Sequence, residues 1–227
     1  MPRPEDSPVN PLPPVVLALA VALITIEAIL SLGAAGVVGG PGAIGWRSQA
    51  IADWGVAPAV LDWIVERRDL SPELLVRFLS YAFVHVSFTH ALFAVVILLA
   101  LGKFVGEGMG QVAVLVTFVA ATVLGALVYC LALDGAAALV GAYPGVYGLI
   151  GAFTFMMLVR NRAMGESALS AFRLIGILLG LQFVFTVFFG AGPTWVADVT
   201  GFLVGLGLAP LVAPGGWAAL LRRIRER

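Results

Sequence analysis

A few polar side chains stand in an otherwise apolar chain and could do chemistry: His85 and His90, with Ser80 and Ser87 beside them, then Glu27, Tyr143 and Asp198. Acyl transfer needs a nucleophile whose proton is taken by a base within hydrogen-bond reach. Ser80 and His85 are badly spaced for contact on a helix. Ser87 and His90 are three apart, where local hydrogen bonding is the commoner outcome and catalysis requires a defined mutual geometry. Downstream, the stretch that begins at Tyr143 carries no serine, and its hydroxyls are Tyr143, Tyr147 and Thr154. A metal held by His85, His90, Asp198 and Glu27 matches no recognised ligand spacing, so no metal and no cofactor are expected. Cys130, the single cysteine, cannot form an internal disulfide and is expected to pack as a small apolar residue.

The elements that must position these groups are membrane helices. Of 227 residues, 61% are hydrophobic and 11% charged, with a mean hydropathy of +1.04, which excludes a soluble domain. The formal net charge is zero and points to neither nucleic acid nor an acidic partner. Residues 1–13 hold five prolines and read as a disordered tail. Residues 15–38 form the first crossing: the run is too long for a signal-peptide core, and its flank holds Glu5 and Asp6 beside Arg3. Glu27 falls inside it, where a carboxylate is costly and faces the bundle interior. Residues 39–69 are rich in aromatics and predict one or two amphipathic helices in the interface, with tryptophans at headgroup level. Ser71-Pro-Glu reads as a helix start with a serine cap. Further crossings are expected at about 74–104, 112–133, 144–158, 171–189, with Gln182 inside, and 195–212, and residues 214–227 form a basic tail.

The fourth of these is unusual. Polar Asp134 and Arg160 bracket Gly141-Ala-Tyr-Pro-Gly-Val-Tyr-Gly-Leu-Ile-Gly-Ala152. Pro144 suits a first helical turn. From there to Leu158 is only about 22 Å at about 1.5 Å per residue, short of the roughly 30 Å hydrocarbon core. The helix is therefore expected to start inside the membrane, fed by an apolar loop at 135–142 that must be covered by protein or line a wet cavity. Tyr143 would face that cavity. Gly145, Gly148 and Ala152 share a face open to a neighbouring helix. Six crossings put both termini on one side, with Arg3, Lys103, Arg160, Arg162, Arg173 and the terminal arginines, against Arg47, Arg67, Arg68 and Arg77 on the other. That excess predicts cytoplasmic termini.

These residues carry a resemblance to the rhomboid family of intramembrane serine proteases, in its six-helix bacterial form, over about residues 14–213. Trp46-Arg47 resembles the Trp-Arg motif of the family's first external loop. Phe83-Val-His85 and His90 resemble the second helix, and Leu101-Gly102 with Gly110 the glycines that close it. Gly141-Ala followed by Gly148-Leu-Ile-Gly-Ala152 resembles the Gly-Ala-Ser-Gly…Gly-Leu-Leu-Gly-Ala signature of the fourth helix. Ala197-Asp-Val-Thr-Gly201-Phe-Leu-Val-Gly205 resembles the Ala-His-x-x-Gly-x-x-x-Gly signature of the sixth. The resemblance implies an all-α bundle of six transmembrane helices in a bacterial inner membrane.

The departures fall on the chemistry. The family's nucleophilic serine corresponds to Tyr143, its base histidine to Asp198 and its oxyanion asparagine to Ala94. A phenoxide is a good leaving group, so an acyl-tyrosine gains little, and losing one oxyanion donor typically costs about 10²–10³ in rate. Since the family places these two positions face to face, a Tyr143–Asp198 hydrogen bond is expected to satisfy both groups, with His85 and His90 capping loops or holding waters in the same cavity. Gly145, Gly148, Gly201 and Gly205 are expected to pack helices. The resemblance implies the role of the family's inactive relatives: binding transmembrane segments of client proteins without cutting them, through an opening between helices two and five gated by Phe183, Phe185, Phe188 and Phe189. An active serine endopeptidase and a transporter using Glu27, Asp198 and the histidines are the alternatives. The second lacks an inverted repeat and a second broken helix.

Overall fold

The computed structural model describes residues 11–189 and 192–216, with side chains at 181–183 and 185–189 outside that description. The expected gate phenylalanines and Gln182 are therefore not placed, and the tails 1–13 and 214–227 lie largely outside the described residues. All regular structure among the described residues is helical. Helix α1 spans Pro14–Ala34, α2 Trp46–Trp54, α3 Pro58–Arg67, α4 Pro72–Leu75, α5 Arg77–Ser80, α6 Phe88–Met109, α7 Gln111–Ala132, α8 Tyr143–Ala163, α9 Arg173–Phe189 and α10 Trp195–Val212.

Four helices, α1, α6, α7 and α10, are long and apolar enough to cross a membrane. Helix α8 has 21 residues but ends in Arg160 and Arg162, and α9 has 17 residues. Of the six expected crossings, four thus qualify by length and composition among the described residues.

The crossing expected from residue 74 begins instead at Phe88. Residues 77–83 make only short helical turns, and the chain is extended at Val84 (φ −105°, ψ 133°) and again at Ser87 (φ −158°, ψ 162°). Ser87 then caps α6, its hydroxyl accepting the His90 N–H at 3.2 Å. The break frees backbone groups that the site uses, as described below. At α4 the expected serine cap is also replaced. Ser71 makes no side-chain cap. Its N–H donates to Asp69 at 3.0 Å and Trp63 Nε1 donates to the same carboxylate at 3.3 Å. That Ser71 amide, followed by Trp63, holds the Asp69 carboxyl below its ordinary range.

Helix α8 is the centre of the bundle. Every residue from 144 to 152 is buried, which marks a helix packed on all sides. Small side chains make this possible. A Cβ at Gly145 would meet Phe118 and the Thr122 hydroxyl of α7 at 2.6–2.8 Å, and one at Gly148 would strike Ala121. Across the other face, a Cβ at Gly201 would collide with the Pro144 carbonyl, and one at Gly205 with the Gly148 carbonyl. Gly151 packs the same way against the Phe202 carbonyl of α10. Backbone approaches backbone here, as small-residue interfaces in lipid allow.

The loop at 133–142 has little helical structure, so its polar backbone needs partners. Leu139 and Val56 exchange both N–H···O bonds, at 2.7 and 3.2 Å, as an isolated antiparallel bridge between this loop and the α2–α3 connection. Gly141 N–H donates to the Tyr81 carbonyl at 2.9 Å, and Tyr129 donates its phenol to the Ala137 carbonyl at 3.0 Å. The loop is covered by protein at these points, the condition for irregular backbone at depth.

Gly205→Ala places a methyl against the Gly148 backbone, where neither partner can retreat. Overpacking of this kind costs about 1–3 kcal/mol. Thermal unfolding in detergent should show a lowered midpoint for Gly205→Ala and no such change for Gly207→Ala, since a Cβ at Gly207 meets nothing within 4 Å.

Candidate functional site

Helix α8 begins beneath a cavity of about 790 Å³, walled by α6, the 138–140 loop, α8, Leu178 of α9 and the start of α10. Its polar lining comprises Ser87, Thr89, His90, Tyr143, Tyr147, Thr194 and Asp198, and the rest of the wall is mostly apolar. Tyr143 and Tyr147 lie one turn apart on α8 and so share a face. Phe93 of α6 lines the cavity and is 56% exposed.

The structure brings His90, Tyr143 and Asp198 onto one cavity wall. It does not pair Tyr143 with Asp198 by the expected hydrogen bond. The phenol of Tyr143 donates instead to the backbone carbonyl of His90 at 3.2 Å. The two rings stack, with centroids 4.6 Å apart and planes 20° from parallel. A hydroxyl has one proton to give, so Tyr143 ties α8 to α6, and the α8–α10 contact rests on glycine packing.

His85 takes the first of the two roles expected of it, holding the loop ahead of α8 rather than waters in the cavity. It is fully buried and is not on the cavity wall. Its Nε2 accepts the Ala142 N–H at 3.2 Å, one residue before α8 begins. An imidazole nitrogen that accepts carries no proton, so the neutral ring holds its proton on Nδ1. His85 meets His90 edge-on at 5.4 Å. Gly141 is the loop residue that packs against both rings. It has φ 106°, and a Cβ there would press on His90 Cε1 at 2.7 Å, so both conformation and space call for glycine.

Ser80 and Ser87 are both engaged elsewhere. Ser80 donates to the Trp54 carbonyl at 3.1 Å, and Ser87 caps α6. Neither is hydrogen-bonded to an imidazole nitrogen. Ala94, one turn after His90, is fully buried among apolar side chains. Among the described residues no group of three or more His, Cys, Asp or Glu side chains could hold a metal ion.

Glu27 and Arg47 form a unit that the sequence reading did not join. The guanidinium grips the carboxylate with both nitrogens, at 3.0 and 2.7 Å. Ser31 donates to the same carboxylate at 2.6 Å. Arg47 also donates to the His85 carbonyl at 2.6 Å, using the backbone oxygen released by the break before α6. One side chain thus joins α1, α2 and the 84–87 turn, and through His85 it reaches the start of α8. The signal was present as two isolated opposite charges in apolar surroundings, each needing a partner. Trp46 beside it lies against α1, where a Cβ on Gly33 would meet its ring at 2.8 Å. Tyr147, Thr194 and Phe93 were missed as lining residues, and only their spacing from Tyr143, Asp198 and His90 could have pointed to them.

A family model of the Rhomboid domain matches residues 72–215. A search of curated proteins found no match. The matched span contains α4 to α10 and the whole cavity wall, while Glu27 and Trp46-Arg47 precede it.

Arg47→Ala leaves the Glu27 carboxylate, 5% exposed, without its cation. Breaking a buried pair on one side costs about 3–5 kcal/mol, and the partial exposure of Arg47 places the expected loss near the lower figure. Detergent unfolding should show Arg47→Ala as more destabilised than the double variant Glu27→Gln, Arg47→Met. Equal stability of the two would mean that the pair carries no net constraint.

Proposed function

This chain belongs to the rhomboid family of membrane proteins, and from that premise we propose that it is a non-proteolytic member that binds transmembrane segments of client proteins in the cavity above α8. The observation that carries this reading is Tyr143. At the helix start where the family's signature has serine, this residue is held by two contacts with His90, a stacked ring and a hydrogen bond to the carbonyl. Nucleophilic attack needs a hydroxyl proton delivered to a base. The Tyr143 proton points to a backbone carbonyl, which cannot act as that base.

Other features support the same reading. The family's base position is Asp198, and the oxyanion position is the buried methyl of Ala94. The Ser87 and Ser80 hydroxyls, the nearest substitutes, serve as a helix cap and a loop tether. The transporter reading loses its first station, because Glu27 is locked to Arg47 instead of lining the cavity. The apolar wall formed by α6 and Leu178 fits an apolar helix as its guest. We place both termini in the cytoplasm of a bacterial inner membrane on the arginine distribution, with the α2–α3 segment outside.

A reconstituted cleavage assay with a promiscuous transmembrane substrate tests the central point. Wild type is expected to be silent. Tyr143→Ser with Asp198→His, with and without Ala94→Asn, is expected to gain cutting, and the third substitution is expected to add about 10²-fold or more where the fold tolerates it. Cutting by wild type would overturn the reading. Orientation is checked separately: a topology reporter fused at Asp134 should report the non-cytoplasmic side, and a cytoplasmic signal would contradict the six-crossing order.

A further inference from the structure

The end of the bundle away from the cavity carries a second recess. Arg160 lies in the last turn of α8, about 25 Å along the axis from Tyr143 at about 1.5 Å per residue. It lines a notch of about 280 Å³ where the ends of α6 and α8 meet the residues just after α10. The other walls are apolar: Phe155, Met156 and Val159 from α8, Met109 from α6, and Pro214. Gly108 lines the α6 side without a side chain, and a Cβ there would strike the terminal methyl of Met156. Among the described residues, no hydrogen bond or ion pair engages the Arg160 guanidinium. The apolar surface continues from the notch toward the middle of the bundle. Phe153, Met156 and Arg160 share a face of α8 by their spacing, as Phe104 and Gly108 share one of α6. The Phe104 and Phe153 rings meet with centroids 5.6 Å apart, and Phe104 is 54% exposed. From Arg160 to this ring pair the track rises about 10 Å.

We propose that the notch binds an anionic phospholipid, with its phosphate on Arg160 and one acyl chain along the track to Phe104 and Phe153. The site is separate from the cavity and does not depend on the client-binding reading.

Three physical points favour this occupant. A guanidinium is a planar fork that matches a phosphate with two parallel hydrogen bonds. A free phosphate ion would have to leave water to enter a notch with apolar walls, whereas a lipid phosphate is already held at the membrane edge by its own chains. Charge then separates one lipid from another. At this end the described residues of α6, α8, α9 and the connection between α8 and α9 supply Lys103, Arg160, Arg162 and Arg173 against Glu107 and Glu166. Lys103 and Glu107 lie 3.9 Å apart. The positive excess favours a headgroup without a compensating ammonium. Arg162 stands in the same last turn of α8, where the helix dipole favours any cation, and it does not line the notch. It is therefore the control for a general charge effect.

The test is native mass spectrometry of the full chain in mild detergent, titrated with phosphatidylglycerol or phosphatidylcholine of identical acyl chains. Wild type is expected to bind phosphatidylglycerol about fivefold or more tightly, the scale of one basic side chain at an anionic surface. Arg160→Gln is expected to erase the preference, Arg160→Lys to keep part of it, and Arg162→Gln to keep it whole. Gly108→Leu, which fills the notch and leaves the charge, is expected to remove the preference as well. Thermal midpoints measured without added lipid separate loss of the site from misfolding, and where Gly108→Leu does not fold, the Arg160 and Arg162 variants decide. Equal affinity for the two lipids would overturn the inference. So would a preference that survives Arg160→Gln or a folded Gly108→Leu, or one that Arg162→Gln removes equally. Displacement of the lipid by soluble glycerophosphoglycerol at matched concentration would assign the notch to a free phosphate ester and also overturn it.

Discussion

The arrangement of the site depends on where one guanidinium is held. Arg47 belongs to a short helix outside the four apolar spans, yet its charged end reaches Glu27 on α1 and the His85 carbonyl. His85 in turn accepts the amide just ahead of α8. A buried carboxylate, a guanidinium, a backbone carbonyl and an imidazole therefore fix the height at which α8 begins. The Tyr143 ring and the floor of the cavity follow from that height. A pair of this kind is poor evidence for added stability, because desolvation offsets much of the attraction. Its geometric value is clearer: five donors in a planar fork accept few alternative placements.

Much of the bundle could be read from the chain. The α10 bounds match the expected 195–212 segment, and α8 starts one residue from the expected Pro144. Long apolar runs and a proline at a helix start are local signals, and they survive folding. The break at 84–87 was not legible, because the polar residues scattered between 74 and 104, such as Arg77, His85 and Ser87, do not by themselves separate a helix from an extended turn. What opens the chain there is tertiary: Arg47 draws off the His85 carbonyl, and Ser87 caps the next helix. The Tyr143 hydrogen bond failed for the same reason. Two residues can face one cavity without touching, and the sequence carried no information on the ring stacking that turns the phenol toward His90.

The cavity combines a close-packed glycine frame with a polar wall. Glycines on α8 and α10 keep the backbones close enough to seat Tyr143 and Asp198 on one wall. Shape and reactivity rest on different residues here: packing on Gly148, Gly201 and Gly205, polarity on Tyr143, Tyr147 and Asp198. That separation is why the fold supports binding readings independently of any catalytic one.

The packing of α8 against α10 also has a consequence for biogenesis. Helix α8 ends at Ala163 and α10 at Val212, so about fifty further residues must leave the ribosome before the second helix is complete. At roughly 5–20 residues per second this is an interval of several seconds. Throughout it, the Gly151 side of the most enclosed helix lacks the α10 backbone that later closes on it, while its Gly145 and Gly148 side can already meet α7. The nascent chain thus passes through a stage in which one side of its future centre is open, and α10 is the helix that closes it.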